Sequence, residues 1–234
     1  MARTLRQEVE SYVGPIDGLV REVDQWLSAG AAQLVDLLPP ERAEQHAVYT
    51  TLPAEGLSVS DKRVISVSIG GIPARHVSYR TYTQSKITGS LESITSTDPG
   101  YFTINNMIYS VPLSTEGIVV CISYPVLTGE ATTINLPPEF KQPIILYASV
   151  QYLINELKTI RKDVTLGWTA FATILDTEED IELAQAKLQE FQGRLGELGV
   201  KMGAIKEQLT ILQSQYTESL NLFIKIHYPT EAKQ

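Results

Sequence analysis

The sequence predicts an α+β protein, mainly a helical bundle with a β-rich insertion and a long C-terminal coiled-coil-like helix. Three observations predict it. Apolar residues recur at steps of three and four near both ends of the chain, the spacing that gathers them on one helix face. Between Ala47 and Ile134 the composition shifts to Ser, Thr, Val, Ile and Tyr broken by turn residues, which suits short strands. The last segment carries an unbroken three-four apolar repeat, the seam pattern of paired long helices. The expected organisation is N-terminal helices over residues 1–46, a β-rich insertion over 47–134, a core helix and connector over 135–175, and a long C-terminal helix or helical hairpin over 176–234.

Thr4 to Val13 is a short candidate helix, separated from the next by Gly14, Pro15 and Gly18. In the next, Val20, Val23, Leu27, Ala31, Leu34 and Leu38 form a helical stripe that stops at Pro39 and Pro40, with Gly30 inside it as a weak point of about 1 kcal/mol relative to alanine.

In the insertion, Val64 to Ile69 and Ile118 to Tyr124 read as strands. The segment YFTINNMIYSV reads as a hairpin turning at Asn105 and Asn106, because asparagine tolerates the positive φ such a turn requires. That register pairs Ile104 with Met107 and Phe102 with Tyr109. It places Phe102, Ile104, Met107, Tyr109 and Val111 on one mainly apolar face, with Ile108 the exception. The Gly70-Gly71 pair reads as a tight turn rather than a phosphate cradle, because no helix start follows it.

Pro137 and Pro138 suit the opening of the third segment's helix, whose stripe is Phe140, Ile144, Tyr147, Ile154 and Leu157. Pro143 then demands either a kink or a true start near Gln142, because proline inside a helix removes a hydrogen bond.

From Ile181 the seam runs through Ala184, Leu188, Phe191, Leu195, Leu198, Met202, Ile205, Leu209, Leu212, Tyr216, Ser219, Phe223 and Ile226, with Ser219 its one polar member. Asp176 with Glu179 resembles a capping box at its start, and Pro229 marks its end. A single helix over 177–228 would be about 78 Å long, against a radius of gyration of roughly 18 Å for a compact chain of this length. Such a helix must project, pair with another long helix or join an assembly. Gly193, Gly196, Gly199 and Gly203 oppose it, and a break near Gly196 giving two antiparallel helices is the alternative. Leu188, Phe191, Leu195, Leu198, Met202, Ile205, Leu209, Leu212, Tyr216 and Phe223 are the expected oligomer interface.

Composition narrows the function classes. The 234 residues carry 27 acidic and 19 basic side chains, a net charge of −8, which disfavours a protein that works by neutralising phosphates. The acidity is concentrated at the ends: residues 1–46 and 176–234 each sum to −4, 47–134 to −1 and 135–175 to +1. No apolar run approaches a membrane span, and the N-terminus lacks the apolar region of a secretory signal. The single cysteine, Cys121, excludes an intrachain disulfide, and its strand-like VVCIS context suits a core filler. The three histidines, His46, His76 and His227, have no metal-ligand spacing. No nucleotide-binding or hydrolase motif occurs. Catalytic, cofactor and metal sites are therefore expected to be absent.

Lys158, Arg161 and Lys162 form the one notable basic cluster. It reads either as cations balancing a helix C-terminus or as a contact for DNA or an acidic partner. Trp26 and Trp168 read as core or interface anchors, since no basic-aromatic interleaving surrounds them.

Three stretches in order, DQWLSAGAAQLVDLLP, STDPGYFTINNMIYSVP and INLPPEFKQPIILYASVQYL, resemble segments of tailed-bacteriophage structural proteins that serve as head-to-tail connector, adaptor or neck components. The likeness spans roughly residues 20 to 155. It implies a virion structural protein of the neck region, made in the host cytoplasm and assembled as a ring, often of twelve copies, between portal and tail. Its implied partners are further copies of itself, the portal protein, tail or fibre proteins, and genomic DNA passing through the channel without sequence-specific binding; no membrane is involved. The neighbouring alternative is a tail-peripheral or fibre-attachment protein that oligomerises through its C-terminal coiled coil.

Overall fold

In chain order the elements are α1 (Leu5–Val13), α2 (Val20–Leu37), α3 (Pro40–Ala43), β1 (Val48–Leu52), β2 (Leu57–Ser58), β3 (Lys62–Ile69), β4 (Ile72–Pro73), β5 (Arg75–His76), α4 (Tyr79–Ser85), β6 (Gly100–Ile104), β7 (Met107–Val111), β8 (Gly117–Ser123), α5 (Lys141–Thr177) and α6 (Ile181–His227). They come from a computed structural model, which describes residues 2–85, 94–112, 116–134, 136–177 and 181–228. The fold is α+β, with two sheets and a long C-terminal helix. The chain forms two compact units, one of Met1–Gly30 with Leu127–Ile224 and one of Ala31–Val126 with Lys225–Gln234.

The first unit starts at a complete capping box. The Thr4 hydroxyl accepts from the Gln7 amide at 3.2 Å while the Gln7 side chain accepts from the Thr4 amide at 3.1 Å, so two amides at the start of α1 are satisfied locally. The chain returning before α5 lies along this helix start: the Leu5 and Arg6 amides donate to the carbonyls of Ala131 and Gly129, both at 2.8 Å. Of the expected α2 stripe, Val23, Leu27, Ala31, Leu34 and Leu38 are buried, and Val20 in the first turn is exposed. Gly30 sits where a Cβ would lie 3.0 Å from the Tyr147 ring. The missing side chain is what lets α2 approach α5 there.

α5 opens with a 3-10 turn at Pro138–Phe140 and starts at Lys141. Pro143 is thus in the first turn, where no intrahelical bond from its nitrogen is due, and the start near Gln142 is the outcome. Ile144, Ile145, Leu146, Ala148 and Val150 are buried on every side of the helix, as expected of a helix that is apolar all round.

α6 pairs with α5 as an antiparallel hairpin. Tyr147 meets Tyr216 with ring centroids 5.9 Å apart, and Trp168 meets Phe191 at 5.8 Å. The four glycines lie within a continuous α6, so the break near Gly196 does not occur. The seam, covered by α5, contributes more than the few kcal/mol the glycines remove. The expected cap is also corrected, because Asp176 lies inside α5; Glu179 and Pro229 lie outside the described residues, as do the side chains of Ile181 and Ala184. At the far end Ile226 is exposed and His227 buried.

The second unit holds two four-stranded sheets, ordered β1-β8-β3-β4 and β2-β7-β6-β5. Asn105 and Asn106 turn the β6-β7 hairpin with φ of 50° and 57°, in the predicted register of Ile104 with Met107 and Phe102 with Tyr109. Gly70 and Gly71, at φ of 59° and 79°, turn β3 into β4. The expected single apolar face is corrected. Ile104 is exposed, whereas Ile108 is 1% exposed and belongs to a cluster with Leu52, Val67, Ile69, Val119 and Cys121. The other face packs Phe102 and Val111 with Val77 and Tyr82. Both faces are used because residues of the other sheet cover the Ile108 side, which local alternation does not reveal. Cys121 is core filler.

Two side-chain contacts tie this unit's strands to the last turn of α2. Arg63 donates from Nη1 to the Val35 carbonyl, and the Tyr124 hydroxyl donates to Asp36 Oδ1 at 2.8 Å. The Tyr228 hydroxyl donates to the Leu37 carbonyl at 2.8 Å. Carbonyls at a helix end have no intrahelical partner, so donors aimed there satisfy them.

Candidate functional site

The α5–α6 hairpin carries the sequence-predicted site residues, and it divides them by how far its own chain covers them. Ile205, Leu212 and Phe223 are buried. Phe191, Leu195, Leu198, Met202, Leu209 and Tyr216 are half-buried, and Leu188 is exposed. Most of the seam therefore faces α5 of the same chain, and its coverage weakens toward the hairpin turn.

Several apolar residues of the two helices stay uncovered, inside the seam and outside it. Leu166, Trp168, Leu188 and Val200 are all exposed, Val200 by 77%. A Cβ built on Gly193, Gly196, Gly199 or Gly203 meets nothing within 4 Å. Val200, Ile211 and Leu222, all exposed, recur every eleven residues. That step is about three turns, so they share one side of α6, away from the buried Ile205 and Leu212. Trp168 is an exposed aromatic packed on Phe191 along one flank, and Trp26 is half-buried with its ring edge-on to Tyr152 at 6.4 Å.

Lys158, Arg161 and Lys162 are exposed. The reading of them as cations at a helix C-terminus is corrected, because α5 continues to Thr177 and the terminal dipole acts only over the last turn. Among the described residues none of the three forms an ion pair.

Elsewhere on α5 a cleft of about 450 Å³ opens against α6 and the segment following α1; Tyr152, Asn155, Glu156, Thr159 and Asp163 line it with Asp17, Leu198 and Lys201. Tyr152 is 6% exposed. Burial raises its phenol above the ordinary value, and the nearby charges of Glu156 and Asp17 with a hydrogen bond to Glu156 add to the rise. The cleft is an acidic, concave surface with one buried tyrosine in its wall. Sequence reading missed it, although the 152, 156, 159, 163 spacing on one helix face was available as a signal.

Among the described residues no group of three or more His, Cys, Asp or Glu is placed to hold a metal ion, and no helix is long and apolar enough to cross a membrane. A family model described as "SU10 adaptor protein" matches residues 2–213. The search of curated proteins finds no match.

Proposed function

Since the chain belongs to the SU10 adaptor protein family, a phage adaptor family, we propose that it is a structural, non-catalytic head-to-tail connector of the virion neck. Copies made in the host cytoplasm assemble as a ring between portal and tail and extend the DNA channel. The single observation that carries this reading is the family match over residues 2–213.

The hairpin surface supports it. Val200, Ile211 and Leu222, exposed along one side of α6, and glycines where a Cβ would meet nothing leave a helix side that a neighbouring subunit would cover. Head-to-tail contacts of this kind close into a ring when the rotation per subunit divides the circle. The bundle and coiled-coil character expected of the helical part belongs to this proposal, as helices of adjacent copies brought side by side. A net charge of −8 suits a channel through which DNA slides without sticking.

The fibre-attachment alternative relied on the C-terminal seam as its trimer contact. Burial of Ile205, Leu212 and Phe223 within the chain leaves that seam less to offer, which favours the connector. Mass photometry of the purified protein, alone and with a portal protein, tests the choice. A ring of many copies is expected; a stable trimer in both conditions overturns the connector.

A further inference from the structure

α5 carries opposite charge on different sides at one height. On one side is the cleft, where Asp17, Glu156 and Asp163 face a single ammonium, Lys201. Away from it are Lys158, Arg161 and Lys162. Arg161 is nine residues beyond Tyr152, about two and a half turns at 3.6 residues per turn, and so lies half a revolution round the helix from the cleft's tyrosine. Lys158 and Lys162 lie to one flank of Arg161, outside the cleft's lining. α6 forms part of the cleft wall through Leu198 and Lys201, and Lys158, Arg161 and Lys162 stay exposed on α5 outside that wall. Among the described residues no ion pair within the chain engages either set.

The geometry points to a heterologous contact between copies, in which the Lys158–Arg161–Lys162 face of one copy docks into the Tyr152–Glu156–Asp163 cleft of the next. The occupant is a second copy of this chain, and charge complementarity argues for it. A surface with three cations and a concave wall with three carboxylates occur on the same hairpin unit, each outside the ion pairs of its own chain. Among the described residues they are not paired within the chain, so each is available to the opposite surface of another copy. They match when every copy presents its basic side to the acidic side of its neighbour, the polarity of an open chain or a closed ring. Arg161 suits the cleft because its planar guanidinium can pair with a carboxylate through two hydrogen bonds while lying against an aromatic ring. This inference rests on the ring reading above and specifies where adjacent subunits touch.

The test reverses the two surfaces separately and then mixes them. One variant carries Lys158→Glu, Arg161→Glu and Lys162→Glu; the other carries Asp17→Lys, Glu156→Gln and Asp163→Lys. Sedimentation velocity is run on the full chain over a concentration series at low and high salt, with circular dichroism as a fold check. Wild-type association is expected to weaken with salt, because exposed charge pairs are screened. Each reversed variant alone is expected to associate about a hundredfold more weakly, since like charges then oppose docking. An equimolar mixture is expected to recover assembly with the two variants alternating, a rescue that misfolding cannot imitate.

Wild-type-like assembly by both reversed variants overturns this contact while leaving the ring reading intact. Failure of the mixture to recover also overturns it. A wild-type chain that remains monomeric at every concentration overturns it too, whereas a stable wild-type trimer that the reversals dissolve supports the contact and sinks the ring. Loss of duplex DNA retention in the Lys158→Glu, Arg161→Glu, Lys162→Glu variant with assembly unchanged assigns the basic face to DNA and overturns the inference.

Discussion

Phe140 meets Phe223 edge to face, with ring centroids 4.9 Å apart and planes at 84°, and neither ring is exposed by more than 1%. The pair joins the turn that opens α5 to the last turns of α6, and so closes the hairpin at its base. Truncating Phe223 to alanine removes a buried ring and one half of an aromatic pair. Phe223→Ala is expected to destabilise the first unit by about 3–5 kcal/mol. Urea unfolding followed by circular dichroism measures it; a loss below about 1 kcal/mol would mean that the hairpin base repacks freely.

Gly30→Ala sets helix propensity against packing. Propensity alone favours the substitution by about 1 kcal/mol. The new methyl, however, stands 3.0 to 3.3 Å from three atoms of Tyr147, a side chain held against Tyr216. The expected outcome is a lower melting temperature than wild type, with recovery when Tyr147→Leu is added. A higher melting temperature for Gly30→Ala alone would show that Tyr147 moves aside.

Gly196→Ala and Gly199→Ala are expected to do the opposite. Each site is exposed within α6 and a Cβ there meets nothing, so each substitution should stabilise the isolated chain by up to about 1 kcal/mol. Thermal unfolding of the monomer reads this. The same variants separate stability from assembly: improved melting with weakened oligomer formation would identify the glycine side as a close contact between copies.

Tyr124 gives an alkaline signature. Burial, the hydrogen bond to Asp36 and that carboxylate's charge raise its phenol to about 12, with Arg63 opposing. A phenol whose folded value lies above its unfolded value of about 10 stabilises the fold fully below pH ~10 and loses that contribution as the pH rises through about 12. Asp36→Asn removes the carboxylate's share and leaves the burial, so the Tyr124 midpoint should fall toward, without reaching, the ordinary value. Tyrosinate absorbance across a base titration, compared with Tyr124→Phe, follows it.

Local chemistry makes parts of the fold legible in the residues themselves. Two adjacent asparagines between apolar runs specify both the β6-β7 turn and its register, and Pro143 places the start of α5 because only a first turn accommodates it. Long-range choices are not legible in this way. The seam from Leu188 to Phe223 states that α6 has a partner, but a three-four repeat does not record whether that partner is α5 or another chain. Ile108 reads as misplaced because only the first face of its hairpin follows from alternation; Leu52 and Val119, distant in sequence, make the second. The acidic cleft depends on the same kind of pairing, because Lys201 and Leu198 join Glu156 and Asp163 only once α6 lies antiparallel on α5.

The fading coverage along the hairpin has a dynamic consequence. Near its base the two helices are held by Phe140 and Phe223, inaccessible to water; toward its turn Trp168 is 59% exposed while packing on Phe191. Opening the far turns therefore exposes little additional apolar surface, so amide hydrogens there should exchange with solvent far sooner than those of residues 144–150. A subunit arriving on that end would slow the exchange and supply the missing burial. If copies meet there, a neighbour's arrival is recorded as slowed exchange in the far turns of α5 and α6 rather than as a change of fold.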